Sequence, residues 1–215
     1  TYNPSKNALK LPQLIALKAS ADATLADVIT KNTNYNNKVN ERITAFSGLK
    51  SLSTRLVNAL QTTDATTETI GNAKTFNRKM QGKKASSSQT PTDPNTPAPN
   101  TISTSQQSYD QLIQHLAGLT SILEAETSYT PNETDLQVAT LQTKIADLTA
   151  KNTAVATAYA SISNSRIARN ETLYSSSTGL VETANEVKKY IKSVFGASSP
   201  QFAQVKGIQF KIIKN

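Results

Sequence analysis

Laid against itself, the chain matches in four collinear blocks, and a chain that repeats a heptad-patterned segment is confined to a small set of helical folds. Tyr2-Asn-Pro4 with Leu9, Leu11 and Leu14 matches Tyr129-Thr-Pro131 with Leu136, Val138 and Leu141, an offset of 127 residues. Leu25-Ala-Asp-Val-Ile-Thr-Lys-Asn-Thr33 matches Ile145-Ala-Asp-Leu-Thr-Ala-Lys-Asn-Thr153 at an offset of 120. Arg42-Ile43, Leu49 and Leu56-Val57 match Arg166-Ile167, Leu173 and Leu180-Val181 at 124. Glu68-Thr69, Lys74 and Phe76 match Glu182-Thr183, Lys188 and Tyr190 at 114. The step from 127 to 120 is one heptad and keeps helical phase, whereas the step of four between the middle blocks resembles a stutter.

Each copy therefore reads as a long helix followed by a shorter one, over 9–60 and 66–81 in the first and over 133–174 and 179–195 in the second. Val138, Leu141, Ile145, Leu148, Asn152, Val155, Tyr159 and Ile162 alternate by three and four, the spacing of a heptad seam. The first copy's seam reads Leu11, Leu14, Ala21, Leu25, Val28, Asn32, Tyr35 and Val39, with Lys18 an imperfect member. Asn32 and Asn152 fall at matching seam positions, where a buried amide fixes register by pairing with its counterpart. An extra helix over 108–127, with Tyr109, Leu112, Leu116, Leu119 and Leu123 on one face, has no counterpart ahead of Tyr2. The short helices each keep an apolar face, Ile70, Ala73, Phe76 and Met80 in one and Leu180, Ala184, Val187, Ile191 and Val194 in the other.

Residues 85–107 are rich in Pro, Ser and Thr and carry no apolar period, the composition of a linker. Extended like polyproline, that stretch reaches roughly 70 Å, enough for one pass along a helix of ~45 residues. The expected organisation is a first helical repeat over 1–84, a linker over 85–107, and an extra helix, second repeat and tail over 108–215, packed as one elongated domain. With only 7 Gly and no Trp, and long stretches free of Gly and Pro, a turn-rich β fold is disfavoured. The expected fold class is all-α: an elongated helical bundle or antiparallel coiled coil of two duplicated units. At the end, Ile208-Gln-Phe210-Lys-Ile212 alternates like a strand, either packing on the bundle as a tail or pairing with another molecule's edge.

Catalytic chemistry has little raw material here. The absence of Cys removes disulfides, thiolate nucleophiles and cysteine-bound metals. His115 is the one histidine, next to the apolar stripe of the extra helix, so a packing or surface role is expected for it. Neither Glu124 nor Glu126 has the Glu-x-x-His spacing of di-iron bundles, and no phosphate loop, nucleophile elbow or His-Glu-x-x-His helix occurs. The reading is a protein that is not an enzyme and takes no metal or cofactor. No run of 18 apolar residues exists, so no helical membrane span is expected. A first residue of Thr1 rather than Met suits an exported mature domain, periplasmic, surface-bound or secreted, and suits a trimmed chain equally.

The formal net charge is +8. Lys74, Arg78, Lys79, Lys83 and Lys84 gather at the end of the first short helix, and Lys188, Lys189 and Lys192 hold the equivalent place in the second. Cations at helix C-termini are favoured by the macrodipole, by about 0.3 to 1 kcal/mol each, which accounts for much of this. A pseudo-twofold bundle would also bring both clusters to one end as an anion-binding patch for a glycan, a phospholipid or nucleic acid. Nucleic acid fits least, since no aromatic-lined groove or recognition helix accompanies the charge.

At Tyr129-Thr-Pro-Asn-Glu133, Ser165-Arg-Ile-Ala-Arg-Asn170, Lys188-Lys-Tyr-Ile-Lys-Ser-Val-Phe-Gly196, Ser199-Pro-Gln201 and Ala73-Lys-Thr-Phe-Asn-Arg-Lys-Met-Gln-Gly-Lys83 the chain resembles a family of duplicated helical proteins of Bacteroidetes, chiefly flavobacteria. The resemblance spans most of the chain and implies a bacterial source; no activity, cofactor or site comes with it. The functional expectation is a structural or protein-interaction bundle, a scaffold or self-assembling protein. The alternatives are an anion-binding module built on the two basic clusters and, third, a helical pore-former that unfurls on membranes.

Overall fold

The computed structural model describes residues 1–82 and 107–212. Within them the chain forms seven α-helices: α1 (Leu11–Ser47), α2 (Leu49–Leu60), α3 (Thr67–Gln81), α4 (Tyr109–Ala125), α5 (Val138–Tyr174), α6 (Leu180–Phe195) and α7 (Pro200–Lys206). Short 3-10 turns at Asn7–Leu9 and Thr134–Leu136 precede the two long helices. The fold is all-α, and no strand occurs among the described residues. Local chemistry sets several boundaries. The hydroxyls of Thr66 and Ser108 accept from the backbone N–H groups of Thr69 and Gln111, capping α3 and α4. At the other end of α3, Gly82 takes φ +75, the left-handed conformation that closes a helix, and its N–H donates to the carbonyls of Arg78 and Lys79.

The helix expected over 179–195 lies at α6, and the one expected over 133–174 ends as placed but begins at Val138, after a 3-10 turn at Thr134–Leu136. The helix expected over 9–60 is broken at Gly48 into α1 and α2. Glycine costs about 1 kcal/mol relative to alanine in a helix interior, so a break is least expensive there. The linker expected over 85–107 lies, apart from Gln107, outside the described residues, as do Lys83 and Lys84.

Two compact units are present. One comprises Thr1–Asn37 with Thr157–Asn215; the other comprises Lys38–Ala156. The divisions fall inside α1 and α5 rather than at the copy boundaries near 84 and 108, because a 37-residue helix is long enough to serve one core with its first turns and another with its last.

The central unit, Lys38–Ala156, holds the main hydrophobic core. Leu56 and Leu60 of α2, Ala73 and Met80 of α3, and Leu116 and Leu119 of α4 are all fully buried. Leu141 and Leu148 of α5 join them. Burying one such leucine is worth about 1.5–3 kcal/mol. Helices α3 and α4 approach closely: a Cβ built on Gly118 lies 2.4 Å from the ring of Phe76, so any side chain there requires the ring to shift. His115 is buried in this layer with its ring 6.4 Å from that of Phe76, in the packing position expected of it.

The terminal unit buries fewer apolar residues. Its N-terminal segment packs on α6, with Lys6 paired to Glu186 at 2.6 Å and the Tyr2 ring edge-on to Tyr190 at 5.2 Å. Buried apolar residues here are few: Leu9, Ala21, Ala158 and Ile162. Thr183 is the one buried residue of α6, and α7 has none.

Heptad burial is regular in α5, where Leu141, Leu148, Val155 and Ile162 are all buried at seven-residue intervals, although Tyr159 of the expected seam is 58% exposed. In α1 the seam is corrected. Leu14, Ala21, Val28, Asn32, Tyr35 and Val39 turn inward as expected, but Leu17, Thr24, Lys31 and Lys38 are half-buried beside them. Leu11 and Leu25, expected in the seam, are exposed. A heptad pattern is satisfied by a second row on either flank of the first, and up to Leu25 the row of Leu17 and Thr24 is the more buried one.

Candidate interaction surface

That inversion leaves an apolar stripe in solvent. Leu11, Ile15, Leu25 and Ile29 are 63%, 61%, 42% and 68% exposed. Leu11 and Ile29 are about five turns apart at 3.6 residues per turn, and Ile15 and Leu25 lie close to the line between them. All four therefore share one face of α1 within the terminal unit. The gap between the pairs is held by Lys18 and Asp22, whose ammonium and carboxylate meet at 2.6 Å one turn apart. The face reads as two apolar pairs separated by an ion pair.

Charge is divided unequally between the units. Residues 1–37 and 157–215 contain 12 Lys and Arg against 5 Asp and Glu, a net +7; residues 38–156 contain 11 against 10, a net +1. The unit that carries this stripe is thus also the basic one.

The two basic clusters belong to different units. On α3, Lys74, Arg78 and Lys79 are exposed; the Arg78 guanidinium donates to Thr75 at 3.0 Å and the Lys79 ammonium sits 5.5 Å from the Phe76 ring centre. On α6, Lys189 and Lys192 are exposed, with Lys192 6.0 Å from the Phe202 ring centre. Lys188 is turned differently: its ammonium donates to the backbone carbonyls of Lys206 at 3.2 Å and Ile208 at 2.7 Å, tying the end of the chain to α6. Residues 208–212 form no strand, and Ile208 and Phe210 instead close a groove against α1 and α6. Of these residues only Phe210 is half-buried, while Ile208 and Ile212 stay exposed.

The two seam asparagines also part company. Asn152 accepts from Arg42 at 2.9 Å and donates to Asp110 at 2.7 Å, while the Arg42 guanidinium lies 3.9 Å from the Tyr109 ring centre. This network lies within the central unit, whereas Asn32, half-buried, belongs to the terminal unit. Arg42 and Asp110 carry no sequence signal that would have joined them to Asn152, being far apart along the chain.

Among titrating groups, Tyr129 is 6% exposed and its phenol is pushed up to about 12, first by burial and then by the neighbouring Glu133 and Asp135 carboxylates. Arg55 hydrogen-bonds Asp135 and holds that carboxyl below its ordinary range. These perturbations accompany structural contacts at the 3-10 turn before α5. Among the described residues no helix is long and apolar enough to cross a membrane.

No family profile, curated protein or solved structure matches the chain.

Proposed function

We propose that this protein is a non-enzymatic helical interaction module that accepts a partner helix, from a second copy or another protein, on the Leu11–Ile29 face of α1. The observation that carries the reading is the exposure of four large aliphatic side chains on one helix face. Isolated apolar residues at a surface are ordinary, but a row of them at helical spacing marks a binding surface. Exposed Ile and Leu side chains gain about 25 cal/mol for each Å² of apolar area a partner removes from water.

The reading includes an origin by duplication. Support comes from the two 37-residue helices, each preceded by a 3-10 turn and a tyrosine that bonds back across it. Support comes also from the way the N-terminal segment packs on α6 while the segment before α5 packs on α2.

The test is light-scattering mass measurement together with crosslinking in extract of the source cells, on the native chain and on Leu11→Asp/Ile29→Asp. Association or a recurrent crosslinked partner that the double substitution removes supports the reading. A monomeric native chain with no crosslinked partner defeats it.

A second reading, anion binding, is favoured by the +7 charge of the terminal unit. It predicts affinity for heparin or anionic vesicles that falls with salt and with Lys189→Gln/Lys192→Gln.

A further inference from the structure

The groove closed by the C-terminal tail has a composition distinct from the stripe on α1. It encloses about 240 Å³ within the terminal unit, between α1, α6, α7 and residues 208–210. Its floor is aliphatic, formed by Leu17 of α1 and Ala184 and Val187 of α6, and its roof is Phe210. Lys18 from α1 and Lys188 from α6 complete the lining. Lys18 is already paired with Asp22. Lys188 has no carboxylate beside it among the described residues; of its three N–H donors, two reach the tail carbonyls of Lys206 and Ile208. One donor and the positive charge remain.

We propose that this groove binds a free medium-chain fatty acid, its alkyl chain on the aliphatic floor and its carboxylate on Lys188, with Lys18 adding charge at the rim. An apolar cavity of ~150 Å³ is large enough for benzene, so this one admits roughly ten carbons. A neutral ligand leaves the Lys188 ammonium without a counter-ion, and a cationic one meets like charge in a unit of net +7. The lining residues Leu14, Leu17, Leu180, Ala184 and Val187 are only half-buried in the empty protein, so occupancy removes further apolar surface from water. The tail held by Lys188 forms one wall, which couples ligand occupancy to the docking of residues 206–210 on α6.

The experiment is calorimetric titration of the full chain with decanoate, decanol and decyltrimethylammonium, each below micelle formation. Decanoate is expected to bind at one saturable site, at least tenfold more tightly than decanol, with no binding of the ammonium amphiphile. Ala184→Trp, which fills the groove, abolishes decanoate binding while the helical circular dichroism is retained. Lys18→Met, which leaves the tail contacts of Lys188 in place, weakens decanoate several-fold and spares decanol. The proposal is overturned by absence of saturable decanoate binding, by equal affinity for decanol, or by unchanged binding to Ala184→Trp. Binding to phosphatidylglycerol vesicles that Ala184→Trp removes, in a chain that takes up no decanoate, also overturns it in favour of a membrane surface. Ala184→Trp alters no residue of the α1 face, so its outcome is separable from that of partner binding there; Lys18→Met, which lies on that face, is read by ligand titration alone.

Discussion

The hydroxyl of Tyr129 donates to the backbone carbonyl of Leu136 at 2.9 Å, closing seven residues over a 3-10 turn immediately before the longest helix of its unit. Tyr2 makes the same closure to Leu9, at 2.6 Å, before α1. Because burial raises the Tyr129 phenol to about 12, its proton is held more tightly in the folded chain than in the unfolded one. The stability this confers is complete below pH ~10 and is lost as pH rises from there to about 12, an effect on the order of 2 kcal/mol. Tyr129→Phe should lower stability at neutral pH and flatten that alkaline loss. Denaturant melts at stepped pH measure both; an alkaline decline of equal size in the variant would refute the assignment.

Gly118→Ala should destabilise the central unit even though alanine favours helix. The added Cβ meets the Phe76 ring at 2.4 Å, and overpacking of this kind costs about 1–3 kcal/mol against a propensity gain of at most ~1. Phe76→Leu in the Gly118→Ala background should recover part of the loss. A more stable Gly118→Ala single variant would show that the ring swings away freely.

Asn152→Ala and Asn32→Ala should differ, although the sequence makes them equivalents. Removing Asn152 strips Arg42 of one partner and Asp110 of another, for about 1 kcal/mol or more. Asn32 sits outside that network, so its loss should stay within about 0.5 kcal/mol. Equal costs in urea unfolding would mean the network adds nothing to stability.

Leu119→Ala should cost about 2–5 kcal/mol, since the side chain is fully buried among α2, α3 and α4. Ile29→Ala, at 68% exposure, should leave folding stability unchanged and act on association alone. Comparison of thermal melts with mass measurements separates the two effects; a large stability loss for Ile29→Ala would place that side chain in a core.

Apolar periodicity and composition were sufficient for the all-α class, and caps and glycines for most helix ends. Thr66 and Gly82 bound α3, Ser108 opens α4, and the breaks before Leu180 and after Phe195 lie within a residue of those expected. These features are local: a hydroxyl three residues from an orphan N–H, or a glycine able to take positive φ, acts through neighbours in the chain. A seam pattern is local too, but it specifies a face only relative to its own helix. Whether Leu25 or Lys31 flanks the buried row of α1 depends on what lies opposite, and that is a long-range fact. Only the tertiary structure brought Arg42 and Asp110 to Asn152, laid Ile208 and Phe210 over a groove instead of along a strand, and assigned the two basic clusters to different units. Each of these rests on contacts between segments far apart in sequence, whose free energy appears only once the intervening chain has folded.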